Sequence, residues 1–394
     1  MQNEYKIDYN KGLVETGSSK RTGYIKKLFD RAKAGEDITV GFLGGSITQG
    51  SVATDDTLCY AYRVYDWFVK TFPKSHITYV NAGIGATDSE YAAARLSEHL
   101  LSKKPDFVLM EFSVNDECND HYLETYEGAV RQILNSKPDI AFMLMNNVFY
   151  NDGASAERIH RVVARHYGLP SVSMRTTIFD AILAGNFEKA KITPDDLHPN
   201  DDGHGLVAGV ITTYLESVLS GKTDGAQALD SEMTDGSQSP DDKGTGLPAP
   251  ISLNRYERSV KYDNRNSEPV LKKMSGFTRD ETPRTAVRDC FKEGFIATEK
   301  GSFAEYEVTG SCIAVQFRRT INLPAPVAKV TVDGNEDTAV ILDANFDETW
   351  GDKLVLTDIY MSENAALHKI RLEIIETHPD DKGDFYLAGV IVSG

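Results

Sequence analysis

Over its first 220 residues the chain alternates between short β-branched apolar runs and stretches of helical periodicity, and few folds accept that rhythm. Runs at 38–43, 77–81, 106–112, 140–146 and 170–174 have the length and composition of buried strands. Helical faces fall between them. One lies at 23–35, with Ile25, Leu28, Phe29 and Ala32 on a single side; another lies at 60–71, where Trp67 and Phe68 are expected in the core. Strands separated by single helices join through right-handed crossovers into a parallel sheet. The expected fold class is therefore α/β: a doubly wound, flavodoxin-like parallel-sheet domain over residues 1–220.

The pattern then stops. Residues 221–247 are rich in Gly, Ser, Asp and Pro and poor in apolar side chains, so they are expected to form a linker or long loop. Beyond them the period shortens to two. Tyr306 and Val308 alternate with glutamates, Ile313, Val315 and Phe317 with Ala314 and Gln316, and Asp333-Gly334 marks a tight turn. Residues 248–394 are expected to form a β-sandwich of jelly-roll type.

In open α/β sheets ligands sit beyond the carboxyl ends of the strands, so the residues just after each strand carry the chemistry. After the first strand come Gly44-Gly45-Ser46, and after the second NAGIGATDS (81–89). The third leads into SVND (113–116), and PDDLHPNDDGH (194–204) comes late in the domain. Acyl transfer needs a nucleophile, a base, a group that orients the base, and donors for the oxyanion. Ser46, His198 and Asp195 fit the first three roles. The N–H groups of Ser46 and of the Gly85-Ala86 turn, with the Asn115 amide, fit the fourth.

Each element alone has a plainer use. Ser46 fits a helix cap, Asn115-Asp116 a turn and cap, and His204 a helix start as well as an alternative base. GIGATD lacks the third glycine of a dinucleotide fingerprint, and no GxxxxGK[ST] loop is present. The order of the four segments, all at strand ends, is what favours acyl transfer.

In that order the segments resemble the four blocks of the SGNH (GDSL-like) hydrolase superfamily. Gly45 stands where many members have Asp, Ala86 where the oxyanion glycine usually stands, and Ser113 where Gly is usual. Asn115 and Asp195-x-x-His198 match. The resemblance implies a catalytic triad of Ser46, His198 and Asp195 that needs no metal or other cofactor. The appended sandwich is similar to carbohydrate-binding modules, and the pair of domains resembles the two-domain carbohydrate acetylesterases, such as mannan-oligosaccharide acetylesterases. This implies a serine esterase that removes O-acetyl groups from mannan- or xylan-type saccharides. Asp116 is a candidate substrate contact, and so is Trp350 in the loop 343–353, whose indole fits stacking on a sugar ring as well as a place in the sandwich core or between the domains. The alternatives are an esterase or thioesterase for a small acyl metabolite or lysolipid, with the sandwich used for oligomerisation, and a non-catalytic carbohydrate-binding protein.

Composition narrows the partners. A formal net charge of −17 disfavours nucleic acid and anionic membrane, and no apolar stretch reaches the length of a membrane span. The start of the chain has no apolar signal core, and its four cysteines show no metal-ligand spacing. They are expected to be free, buried thiols in a reducing cytoplasm. Oligomeric state is not legible.

Overall fold

The computed structural model describes residues 2–222 and 246–394, so most of the segment read as a linker lies outside the described residues. The chain divides into two compact units, one formed by Met1–Ala92 and Leu96–Ser252 and the other by Ala93–Arg95 and Leu253–Gly394.

The first unit is built on a six-stranded sheet. Its strands are β1 (Leu13–Thr16), β2 (Ile38–Gly44), β3 (Ile77–Gly83), β4 (Phe107–Glu111), β5 (Ala141–Asn146) and β6 (Pro170–Ser173). They lie in the order β1-β6-β5-β4-β2-β3. Strands β2 to β6 pair in parallel, as the strand–helix alternation requires. Strand β1 departs from the all-parallel expectation, because it pairs antiparallel with β6 at the sheet edge. A four-residue edge strand bonded on one side needs no long apolar run, so its sequence carries little signal.

Alternate residues of the strands face opposite helical layers. Val40, Phe42, Phe107 and Leu109 pack with Phe29, Phe68, Leu206 and Ile211, from the helices Ser19–Ala34, Tyr60–Thr71 and Asp201–Leu219. Each such side chain contributes about 1.5–3 kcal/mol by leaving water. Trp67 is only half-buried; it packs on this cluster and its Nε1–H donates to Glu216 Oε1 at 3.2 Å. Polar residues set the helix starts. The side chains of Ser18, Asn119 and Asn200 accept from the N–H groups of Arg21, Tyr122 and Gly203.

The second unit is a β-sandwich whose ladders are antiparallel. It comprises β7 (Val260–Tyr262), β8 (Leu271–Ser275), β9 (Thr278–Arg279), β10 (Phe295–Ala297) and β11 (Phe303–Arg319). Next in the chain are β12 (Val327–Val332), β13 (Asn335–Asp343), β14 (Lys353–Glu376) and β15 (Phe385–Ser393). The long β11 pairs with β14 from end to end, and on its other side it passes from β8 to β15, with bulges between Gly310 and Cys312 and between Ile313 and Ala314. Tyr306, Val308, Ile313, Val315 and Phe317 lie in the core, the face that the alternating pattern assigns to them. Asp333 and Gly334 form the β12–β13 turn, both at positive φ (54° and 72°). Of the four free cysteines three are buried, and Cys118 is exposed, contrary to expectation.

Candidate active site

Strand β2 ends at Gly44, Gly45 is the cap residue, and Ser46 opens the one-turn helix Ser46–Gln49. The cap position falls to Gly45 and Ser46 is the first residue of the helix, so the plainer reading of this serine as the cap fails. Its Oγ instead lies 2.8 Å from His198 Nε2. The nucleophile turn is pinned from the neighbouring strand end. Asn81 Nδ2 donates to the Thr48 carbonyl at 2.8 Å, while its Oδ1 accepts from the Gly83 N–H at 2.8 Å. A Cβ on Gly83 would lie 2.2 Å from Gln49 N, so only glycine allows this approach.

His198 and Asp195 share one turn ahead of the Asp201–Leu219 helix. Nδ1–H of His198 donates to Asp195 Oδ2 at 2.6 Å, which leaves Nε2 as the acceptor for the Ser46 hydroxyl. Asp195 Oδ1 accepts from the N–H groups of Leu197 (3.1 Å) and His198 (2.8 Å), so the carboxylate is fixed before it orients the ring. Partial burial raises the Asp195 pKa, but the bonds from the His198 side chain and from the two N–H groups outweigh it and hold the group below the usual carboxylate range. His204 does not compete as a base. It is buried in the helix, Nδ1 accepts from the Tyr60 N–H at 3.2 Å, and burial pushes its pKa down to about 4.

The structure separates the two N–H groups of the glycine block. The N–H of Gly85 donates to Gln49 Oε1 at 2.7 Å and is spoken for, which corrects its expected role as an oxyanion donor. Ala86, at φ 55°, has no acceptor for its N–H among the described residues, and neither has Ser46. This left-handed conformation favours glycine, and alanine adopts it at a cost of about 1 kcal/mol. Asn115 closes the set. A Cβ on Gly45 would lie 2.4 Å from Asn115 Oδ1, so the amide packs onto the backbone just ahead of the nucleophile. A Cβ on Gly85 would lie 3.6 Å from Ser46 Cβ, which brings the glycine block to the same place. The glycine block and the Asn115 amide thus both lie against the turn that carries Ser46.

Asp116 turns away from any substrate, which corrects its reading as a substrate contact. Its side chain is fully buried: Oδ1 accepts from the Ser89 N–H at 2.9 Å, and Oδ2 lies 3.0 Å from His160 Nε2. Burial pushes the Asp116 carboxyl up and the His160 imidazole down, each toward its uncharged form. The Tyr126 ring stacks on His160 at 3.6 Å between centroids. Asp88, within the GIGATD segment, caps the Ser89–His99 helix through the Tyr91 N–H at 3.0 Å. Trp350, in the second unit, is 59% exposed and meets Phe346 edge-on at 5.2 Å, so it is not sandwich core.

Three residues near the site escape a reading of the sequence: Gln49, His160 and Glu111. Glu111 ends β4 and is fully buried; Oε1 accepts from the Ser113 N–H at 3.1 Å, and Oε2 has no partner among the described residues. Burial, with Asp116 nearby, pushes its pKa from 4.5 up to about 8 against the opposing bonds from Ser113. The unfolded chain therefore ionises this group near pH 4.5 while the folded protein keeps it protonated until about pH 8. Across that window rising pH lowers stability by about 1.4 kcal/mol per pH unit, and above it the dependence levels off. Glu111→Gln removes this contribution, so its stability relative to wild type rises from pH 5 to pH 7.5 in denaturant titrations. A difference that does not change with pH would show that Glu111 is ionised in the native state.

A model of the GDSL-like lipase/acylhydrolase family matches residues 42–206, a span that includes all four segments. An acetylxylan esterase of Geobacillus stearothermophilus is 25% identical over 206 residues, covering 45% of this chain and 93% of its own. Similarity to a two-domain esterase active on acetylated mannans extends further. Its crystal structure is 47% identical over 98% of this chain and 99% of that chain, with a TM-score of 0.88. A structure of a two-domain esterase active on acetylated mannans co-crystallized with mannopentaose is 48% identical over 98% of each chain, again with a TM-score of 0.88.

Proposed function

The chain belongs to the GDSL-like lipase/acylhydrolase family, and from that premise we propose that it is a serine esterase removing O-acetyl groups from acetylated manno- or xylo-saccharides. The carrying observation is the continuous chain Ser46 Oγ, His198 Nε2, His198 Nδ1, Asp195 Oδ2, with contacts of 2.8 and 2.6 Å. Similarity over nearly the full length to two-domain esterases active on acetylated mannans supports the choice of substrate.

In the first step His198 Nε2 takes the Ser46 proton as Oγ attacks the acetyl carbonyl. The N–H groups of Ser46 and Ala86 and the Asn115 amide receive the oxyanion. The C–O bond to the sugar breaks, and the imidazolium returns its proton to the departing sugar hydroxyl. In the second step the same imidazole deprotonates water, which attacks the acetyl-serine. Acetate leaves and Ser46 is regenerated. This chemistry uses only the chain's own residues.

On the sandwich we assign the exposed Trp350 to stacking on a sugar ring, a role supported by its flat, solvent-facing indole. Four free thiols, Cys118 exposed among them, support a reducing compartment such as the cytoplasm. The test is acetate release from a panel of acetylated manno- and xylo-oligosaccharides. Release that differs between backbones supports the deacetylase reading and names the saccharide. Cleavage of a simple aryl acetate with no release from any sugar overturns the saccharide and keeps the esterase.

A further inference from the structure

The oxyanion donors sit on three separate loops, and the sheet does not set the distance between them. The parallel ladders end at Gly44, Gly83 and Glu111, whereas the donors lie beyond those points at Ser46, Ala86 and Asn115. The last backbone bond between the first two loops is from the Ile84 N–H to the Gly44 carbonyl, at 3.1 Å. From there on, side chains make the connections.

Gln49 and Asp116 provide them. Gln49 is on the nucleophile's own helical turn, and its Oε1 takes the Gly85 N–H at 2.7 Å. This bond holds the peptide immediately before the Ala86 donor and leaves the Ala86 N–H as the one without an acceptor. Asp116 directly follows Asn115, and its Oδ1 takes the Ser89 N–H at 2.9 Å, which ties the asparagine loop to the end of the glycine loop. Its other oxygen is held at 3.0 Å by His160, on the helix Glu157–Tyr167. Gln49 therefore joins the first loop to the second, and Asp116 joins the second to the third.

We propose that Gln49 and Asp116 are positioning residues that set the geometry of the oxyanion hole, with His160 fixing the orientation of Asp116. The proposal rests on ester hydrolysis at Ser46. Stability alone accounts poorly for Asp116, because a buried carboxyl facing an imidazole gives little over an apolar pair of the same volume. Holding donors at the developing charge is a function that an apolar pair lacks.

The test uses the full-length protein, an aryl acetate as substrate, and the variants Gln49→Ala, Asp116→Ala and Asp116→Asn. Gln49→Ala and Asp116→Ala each lower kcat by about 10²-fold, the scale of a donor displaced by an ångström, while KM changes by less than about twofold. Asp116→Asn recovers most of kcat, since the amide keeps both bonds: its oxygen accepts from Ser89 and its NH₂ donates to His160. In an Asn115→Ala background, Asp116→Ala costs only about a further twofold, because the donor it positions is already gone. Amide hydrogen exchange over residues 84–89 speeds up in both alanine variants. An unchanged kcat, a loss multiplying fully with Asn115→Ala, or Asp116→Asn as poor as Asp116→Ala would overturn the proposal. Should Asp116→Ala not fold, Gln49→Ala and Asp116→Asn still decide. A wild-type protein inactive on every ester defeats the proposed function, and the exchange rates then test the positioning on their own.

Discussion

Ser46→Ala lowers kcat for acetate release by about 10⁵-fold or more, while the circular dichroism spectrum and the melting temperature stay close to those of wild type. The magnitude reflects the loss of the only bond-forming atom in the triad, since the remaining catalysis comes from the oxyanion donors and from binding. Stability is spared because Gly45, not Ser46, caps the helix, and among the described residues the one hydrogen-bond partner of Ser46 Oγ is His198 Nε2. Affinity for unacetylated oligosaccharide is likewise retained. Acetate release by the alanine variant at more than about a hundredth of the wild-type rate would remove Ser46 from the chemistry.

Asp195→Asn is expected to lower kcat by about 10⁴-fold with little change in KM. Asn presents an NH₂ to His198 Nδ1, so the ring proton moves to Nε2 and the base faces Ser46 in the wrong tautomer. The local turn survives, because the remaining amide oxygen still accepts from the N–H groups of Leu197 and His198, as Asp195 Oδ1 does. The loss is therefore one of rate and not of fold, and full kinetics at several pH values separate the two. A loss below about tenfold would mean that His198 is oriented by something other than Asp195.

The sheet, the Tyr60–Thr71 helix and the four strand-end segments are legible in the sequence because each is written locally, in periodicity and in polar residues at strand ends. The triad is legible for the same reason: Asp195 and His198 share one turn, and Ser46 comes directly after its strand. The features that escape depend on partners distant in the chain. Which of the Gly85 and Ala86 N–H groups is taken up depends on Gln49, 36 residues earlier, whose side chain accepts from Gly85. Asp116 looks like a substrate contact in SVND and becomes an internal one through His160, 44 residues later, once a helix packs behind the loop. Strand β1 escapes because an edge strand needs so little apolar sequence, and the exposure of Trp350 cannot be read from a loop without periodicity.

The contact between Gly45 and Asn115 bears on how such a site can change by mutation. With 2.4 Å between a would-be Cβ at position 45 and Asn115 Oδ1, no larger residue can be introduced there while Asn115 keeps its present rotamer. The two positions, 70 residues apart in the chain, are therefore sterically coupled. A substitution at either is read against the residue at the other, because a side chain at position 45 has to displace the Asn115 amide. Grafting one block from a relative without the other would transfer the letters of the motif and lose its geometry.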